Sequence, residues 1–279
     1  MAEPFAHPEA VVDTEWVAQH LTDAAVRIVE VDEDGSLYAQ GHIPGAVAFD
    51  WWKDLEDQVR RDVITGEAFA RKVASVGIGD DTTVVLYGDK NNWFATYAYW
   101  LFKYNGHDRA KIMNGGRQKW MNEGKPVSTD AAAHPIAVHA VHPVRPEIRA
   151  LRDDVLAAIG RAKVIDVRSP REYAGEIIAP EAYPQEGAQR GGHVPGAVNI
   201  PWGQAVREDG TFKSVEELRE LYGSKGVTSD GDVIAYCRIG ERSSHTWFVL
   251  TELLGYKRVR NYDGSWTEYG SIVGAPIER

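Results

Sequence analysis

Apolar and polar positions alternate along this chain in a pattern that occurs twice. A short apolar run ending in acid, "RIVEVDED" at 27–34, returns as "KVIDVRSP" at 163–170. The segment "GHIPGAVAFDW" at 41–51 returns as "GHVPGAVNIPW" at 192–202. A second apolar run follows in each half, "TVVLYGDKNNWFATYAYWLF" and "DVIAYCRIGERSSHTWFVLTELL". A third follows that, "AKIMNGG" and "KRVRNYDGSW". Unlike segments recurring in one order are the mark of a duplicated domain. The β-branched runs predict strands at 27–31, 83–87, 110–113, 163–167, 232–236 and 257–260. Amphipathic spacing predicts helices at 67–76 and 214–222, and Ser214 with Glu217 forms a capping box at the start of the latter. Behind Cys237, Trp247, Leu250 and Leu254 share one helical face, and Gly255 can end that helix.

Strands alternating with helices predict an α/β fold in which each copy is a mainly parallel sheet with helices on both faces. The copies are expected at 10–125 and 150–275. Between them, 126–149 is rich in Pro, Ala and His and reads as a mobile, partly extended linker. The second copy carries an extra stretch, 176–191, in the Pro- and Gly-rich "GEIIAPEAYPQEGAQRG". With Glu172, Glu176, Glu181 and Glu186 it reads as a surface excursion on the side of the site, where a protein acceptor would dock.

Composition narrows the function. With 41 Asp+Glu against 31 Lys+Arg the net charge is −10, and no basic run appears, so neither nucleic acid nor an anionic membrane is an expected partner. No apolar stretch reaches transmembrane length. The N-terminus "MAEPFAHPEAVVDTEW" lacks the basic start and apolar core of a signal peptide. A single cysteine permits neither an internal disulfide nor a thiolate zinc site, and a cytoplasmic location is expected.

That cysteine, Cys237, heads "CRIGERSSH" directly after an apolar strand. Alone, such a cysteine reads as a small buried hydrophobe. The Arg-x-Gly-x-Arg behind it favours a reactive thiol instead. If the helix begins near Ser243 or Ser244, residues 237–242 form a turn under a helix N-terminus, where free N–H groups and the helix dipole favour anions. Beside Arg238 and Arg242 the thiol pKa is expected to be depressed. Gly240 permits the backbone angles of a compact cradle.

"CRIGERS", the two "GH-[IV]-PGA" repeats and "YDGSW" together resemble the rhodanese family, in particular its two-domain thiosulfate sulfurtransferases, over residues 10–277. The resemblance implies tandem rhodanese-like domains. Gly88 and Asp89 align with Cys237 and Arg238, so the first copy has no nucleophile; its implied role is to pack on the catalytic copy and wall the pocket. The implied reaction is ping-pong: Cys237 takes the outer sulfur of a small anionic donor as a persulfide, then passes it to a thiophilic acceptor, cyanide or a thiol, including a protein thiol. No metal or organic cofactor is implied. Arg242 is the candidate for the donor's sulfonate, and Arg238 adds positive charge. The backbone of Arg238, Ile239, Gly240, Glu241 and Ser243 would cradle the persulfide. Asp166 and Arg168 are expected to form a supporting ion pair, ranked above contact of Arg168 or Arg171 with donor.

Thiosulfate fits the arginines of the loop better than 3-mercaptopyruvate, whose enzymes carry a less charged loop. Ile239 stands where vertebrate thiosulfate enzymes have lysine, so 3-mercaptopyruvate stays open. Ranked lower are a non-catalytic rhodanese-like binding module and a cell-cycle-type phosphatase of the same fold. The phosphatase loop has five residues between Cys and Arg; here there are four, and Glu241 would repel a phosphate dianion. His42 and His193 are expected as turn residues bonded to backbone, Trp266 as pocket or core, and His245 as no partner of the thiol. His134, His139 and His142 match no common metal motif, and no metal site is expected.

Overall fold

The computed structural model describes residues 3–180, 182 and 187–279. Of the 176–191 excursion, Glu181 and Glu186 therefore lie outside the described residues. The chain divides into two compact units. The first holds Glu9–Arg145 together with Val206–Phe212; the second holds the chain up to Pro8, Pro146–Ala205 and Lys213–Arg279.

The strands, in chain order, are β1 Val11–Val12, β2 Val26–Glu30, β3 Val47–Ala48, β4 Glu56–Asp57, β5 Asp62–Val63, β6 Thr83–Tyr87, β7 Ala110–Met113, β8 Arg149–Ala150, β9 Lys163–Asp166, β10 Val198–Asn199, β11 Val233–Tyr236 and β12 Val259–Tyr262. The first unit's sheet runs β1-β7-β6-β2-β3 and the second's β8-β12-β11-β9-β10, all neighbours parallel. The two orders match strand for strand, as a duplication requires; only the β4–β5 hairpin has no counterpart among the described residues. All residues of β2 and β11 are buried. Successive side chains of a strand point to opposite faces, so both faces of each sheet are covered.

The predicted β6 and β7 are observed at the expected residues, and β2, β9 and β11 within one residue. β12 begins two residues later than expected, because Lys257 and Arg258 lie outside the sheet. Ser214 caps the helix Val215–Gly223: its Oγ accepts the Glu217 N–H at 3.3 Å and Glu217 Oε2 accepts the Ser214 N–H at 2.8 Å.

The segment read as a mobile linker is fastened to the first unit as far as Arg145. Ser128 and His42 exchange backbone hydrogen bonds at 2.9 Å. Ala137 N–H donates to Ala74 C=O at 3.0 Å, and Arg145 N–H to Tyr104 C=O at 2.8 Å. Arg145 also makes a two-pronged ion pair with Asp108, at 2.7 and 2.6 Å. Backbone bonds of this kind leave no hydropathy signal, which is why composition alone suggested mobility. Among the described residues no helix is long and apolar enough to cross a membrane.

Candidate active site

Cys237 follows the last residue of β11, at the carboxyl edge of the second sheet where α/β folds place their sites. Its main chain is held by the "YDGSW" turn. Cys237 N–H donates to Ser265 Oγ at 3.0 Å, and the carbonyls of Cys237 and Arg238 accept the N–H groups of Trp266 and Thr267 at 3.1 and 3.0 Å. Ser265 itself sits at φ 49°, an uncommon angle for a residue with a side chain. The loop then turns at Gly240, whose φ is 105°. A Cβ there would fall 2.7 Å from Asp263 Cα, so the turn needs glycine on two counts.

The helix starts at Glu241, not at Ser243 or Ser244, and runs to Phe248 before one π-helical turn, Val249–Leu253. Starting earlier draws Glu241 and Arg242 into its first turn. Asn261 of β12 braces this start, donating to Gly240 C=O at 3.3 Å and to Ser244 Oγ at 2.9 Å, and accepting from Ser243 Oγ at 2.6 Å.

The environment of Cys237 Sγ differs from the expected one. The residue is fully buried. Sγ accepts the Gly240 N–H at 3.1 Å, and the thiol donates to Glu241 Oε2 at 3.2 Å. Burial pushes the thiol pKa up, and the Glu241 carboxylate pushes it further; Arg242 and the Ser243 N–H pull the other way without winning. Both causes favour the protonated thiol, beside a carboxylate acceptor, over a standing thiolate. The sequence shows two arginines near the cysteine but cannot show how much water they share with it.

Arg242 is likewise engaged. Its guanidinium grips both oxygens of Glu172 at 3.1 Å and reaches Glu241 Oε1 at 3.5 Å. Burial works against its charge, but Glu172, Cys237 and Glu241 together raise its pKa. Burial also opposes the charge on Glu172, and Arg242 overrides it, holding the carboxyl below its ordinary range. Glu172 is the N3 residue of a capping box with Ser169 on the one-turn helix Pro170–Tyr173. Its S-P-x-E signature is legible as a cap; its service to Arg242 is not, because seventy residues separate them. Arg238 and Ile239 are buried alongside.

The supporting pair is enclosed: Arg168 and Asp166 have no exposed side-chain surface and meet at 2.6 Å. Arg168 also donates to Gly192 C=O at 2.7 Å and lies 4.5 Å from the Trp266 ring centre, while Tyr236 OH donates to Asp166 at 2.6 Å. Arg171 is exposed and pairs with Glu176. Trp266 is fully buried and is a core residue. His245 packs edge-on against Trp202, and burial lowers its pKa to about 3, so it stays neutral. His42 and His193 play one role in both copies, each stacking on a tyrosine and bonding that tyrosine's carbonyl.

In the first unit the corresponding loop has opposite chemistry. Gly88 N–H donates to Asn92 Oδ1, and Asp89 N–H to Asp32 Oδ1. Burial, reinforced by Glu30, lifts the Asp32 pKa to about 9, and burial lifts that of Asp89 to about 6. A Cβ on Gly88 would lie 2.1 Å from Val31 O. Gly88→Cys is therefore expected to destabilise the protein by about 1–3 kcal/mol and to load no sulfur at position 88. Thermal unfolding and intact mass after treatment with a sulfur donor check both parts.

The rhodanese-like domain model matches residues 13–123 and 151–271. The chain is 58% identical over 281 residues to the "Sulfur carrier protein TtuD" of Thermus thermophilus, covering 99% of this chain and 98% of the relative. It is 53% identical over 274 residues to a Mycobacterium tuberculosis protein named "Putative thiosulfate sulfurtransferase", covering 98% and 99%. Among solved structures, wild-type EanB superposes with a TM-score of 0.87 at 25% identity, over 99% of this chain and 70% of that one.

Proposed function

The chain belongs to the rhodanese-like family, and from that membership we propose that it is a sulfurtransferase that moves sulfane sulfur from thiosulfate to cyanide or a thiol through a persulfide on Cys237. The observation that carries the reading is the placement of Sγ. It stands at the carboxyl end of β11, under the first turn of the helix Glu241–Phe248, with an N–H donor at 3.1 Å and a carboxylate at 3.2 Å. The names of the relatives support the same class of chemistry.

Because the thiol rests protonated, the first step is transfer of its proton to Glu241. The thiolate then attacks the outer sulfur of the donor. The S–S bond forms at Cys237, the sulfur–sulfur bond of thiosulfate breaks, and sulfite leaves with the electron pair. The persulfide carries one negative charge, stabilised by the Gly240 N–H and the neighbouring Arg242. Cyanide or a thiolate then attacks the terminal sulfur, and Cys237 leaves as thiolate and recovers its proton. Arg242 holds the loop through Glu172 and offsets the charge that develops on sulfur. The cradle comes from the backbone of Arg238 through Ser243, and Asp166 with Arg168 holds the sheet edge behind it. In this reading the second unit is catalytic and the first carries no nucleophile.

A second reading, a sulfur carrier loaded by another protein, draws on the burial of Sγ and on the ion pair that occupies Arg242. Intact mass after brief incubation with each donor separates the readings. Thiosulfate is expected to add one sulfur atom, which cyanide removes as thiocyanate over many turnovers. Loading by 3-mercaptopyruvate alone would change the donor, and loading by neither would leave the carrier.

Glu241→Gln keeps the Arg242–Glu172 pair but removes the proton acceptor. It also relieves the thiol of a negative neighbour, yet burial, the larger cause of the raised pKa, remains. Loading at neutral pH is expected to slow at least about a hundredfold, with the loss shrinking as pH rises and hydroxide ionises the thiol. Rapid-quench mass spectrometry from pH 7 to 10 checks this, and an unchanged rate would remove Glu241 from the step.

A further inference from the structure

Three residues expected to be unrelated meet in the first unit. Asp80, His139 and His142 each offer a donor atom, and these atoms all lie within 4.8 Å of one another. His142 Nε2 is 2.7 Å from Asp80 Oδ1, and His139 Nδ1 is 3.8 Å from the same oxygen. His139 and His142 arrive from the extended segment after the sheet, and Asp80 from the turn before β6.

A hydrogen-bond chain runs behind them. His107 Nε2 lies 3.1 Å from the carbonyl of Thr82, which can only accept, so Nε2 carries the hydrogen. His107 is buried between the Phe102 and His139 rings, where an imidazolium would lose its hydration. As a neutral ring it leaves a lone pair on Nδ1. His139 Nε2 lies 3.2 Å from it. His139 Nδ1 in turn faces two acceptors, Ala140 C=O at 2.8 Å and Asp80 Oδ1 at 3.8 Å. The contacts to Thr82 C=O, between the two rings and to Ala140 C=O need three hydrogens where two neutral rings carry two, so a positive centre belongs at this cluster.

We propose that this centre is a divalent transition-metal ion of the zinc class, held by His139 Nδ1, His142 Nε2 and an Asp80 carboxylate oxygen, with water in the fourth position. Two imidazoles and a carboxylate are a borderline donor set that suits zinc. Bonds of about 2.0–2.1 Å in a tetrahedron put donor atoms about 3.3 Å apart. The 2.7 Å contact therefore opens and the 3.8 Å contact closes by roughly half an ångström each. The side chains of Asp80 and His142 are 42% and 37% exposed, which gives the ion and its water access, while that of His139 is fully enclosed. The His139–His107–Thr82 relay is the kind of outer support that fixes a ligating histidine's tautomer. The ion would pin the 137–145 segment to the body of the first unit. It takes no part in sulfur transfer.

The test is calorimetric titration of Zn2+ into chelator-treated full-length protein carrying Cys237→Ser, so that no thiol competes. One equivalent is expected to bind. His142→Ala and Asp80→Ala, both at exposed ligands, are each expected to weaken binding at least about tenfold while unfolding in chelator stays near that of the parent. Co2+ in place of Zn2+ is expected to give the strong visible absorption of a tetrahedral site. Binding that neither variant alters would mean an adventitious ion only. Absence of stoichiometric binding would mean that the cluster holds no ion. Either result overturns the proposal.

Discussion

Cys237→Ser is expected to end sulfur loading altogether, a loss of at least about a thousandfold in any donor-dependent turnover, while leaving the fold intact. The chemistry sets the first half. A hydroxyl of similar size can still accept the Gly240 N–H and donate to Glu241, but an alkoxide is neither accessible at neutral pH nor drawn to sulfur. The protein has one cysteine, so no second thiol can cover for the first. The second half follows from linkage. The folded state holds the Cys237 thiol pKa above its ordinary value, chiefly by burial. Its contribution to stability is fully present below the unfolded pKa of about 8.5 and is lost as pH rises towards the folded value. The sign is that of an unfolded chain that binds fewer protons than the folded one above that pH. Native protein should thus lose stability relative to Cys237→Ser between pH 8 and 10, and the two should run parallel below pH 8. Denaturant unfolding of both proteins across this range is the check. A gap that does not change with pH would mean that the thiol is not protonated in the folded state.

Asp166→Ala is expected to be the most damaging single change away from the thiol, at about 3–5 kcal/mol. The reason is the charge it leaves behind. Arg168 has no exposed side-chain surface, and Asp166 is the carboxylate that hydrogen-bonds it, with Glu172 contributing only through its field. Without the carboxylate the guanidinium keeps Gly192 C=O and the Trp266 face, which together do not replace a countercharge. Tyr236 OH loses its acceptor at the same time. The melting temperature should fall by on the order of 10 °C. Pairing Asp166→Leu with Arg168→Met should recover much of the loss, because a buried ion pair replaced whole costs little. If the double variant is as unstable as Asp166→Ala, the pair does more than balance charge. Loading by the double variant would also separate support of the loop from direct contact with the donor.

The metal proposal and the active-site reading rest on separate units and separate residues, so failure of one leaves the other standing. Both nevertheless depend on the same kind of information. In each, residues far apart in the chain meet: Glu172 with Arg242, and Asp80 with His139 and His142. Neither meeting has a periodic or spaced signature.

From the sequence alone come the duplication, the parallel α/β architecture, the central strands and the candidate nucleophile. The reason is that these depend on local regularities. Strand and helix periods are written in consecutive residues, a capping box spans four positions, and the two copies can be laid one on the other. The loop's glycine was legible for the same reason, since a tight turn before a helix demands it. Tertiary structure decided everything that depends on shared solvent. It placed the helix start at Glu241, which put a carboxylate beside the thiol, and it closed water off from Sγ, so that the thiol pKa is raised where a lowered one was expected. It gave Arg242 to Glu172, and it laid the supposed linker along the first unit, where scattered histidines became neighbours. Charge counts along a chain state which ions are present. Only packing states how far each is from water and from its countercharge, and in a buried site the balance of the two sets the sign of the pKa shift.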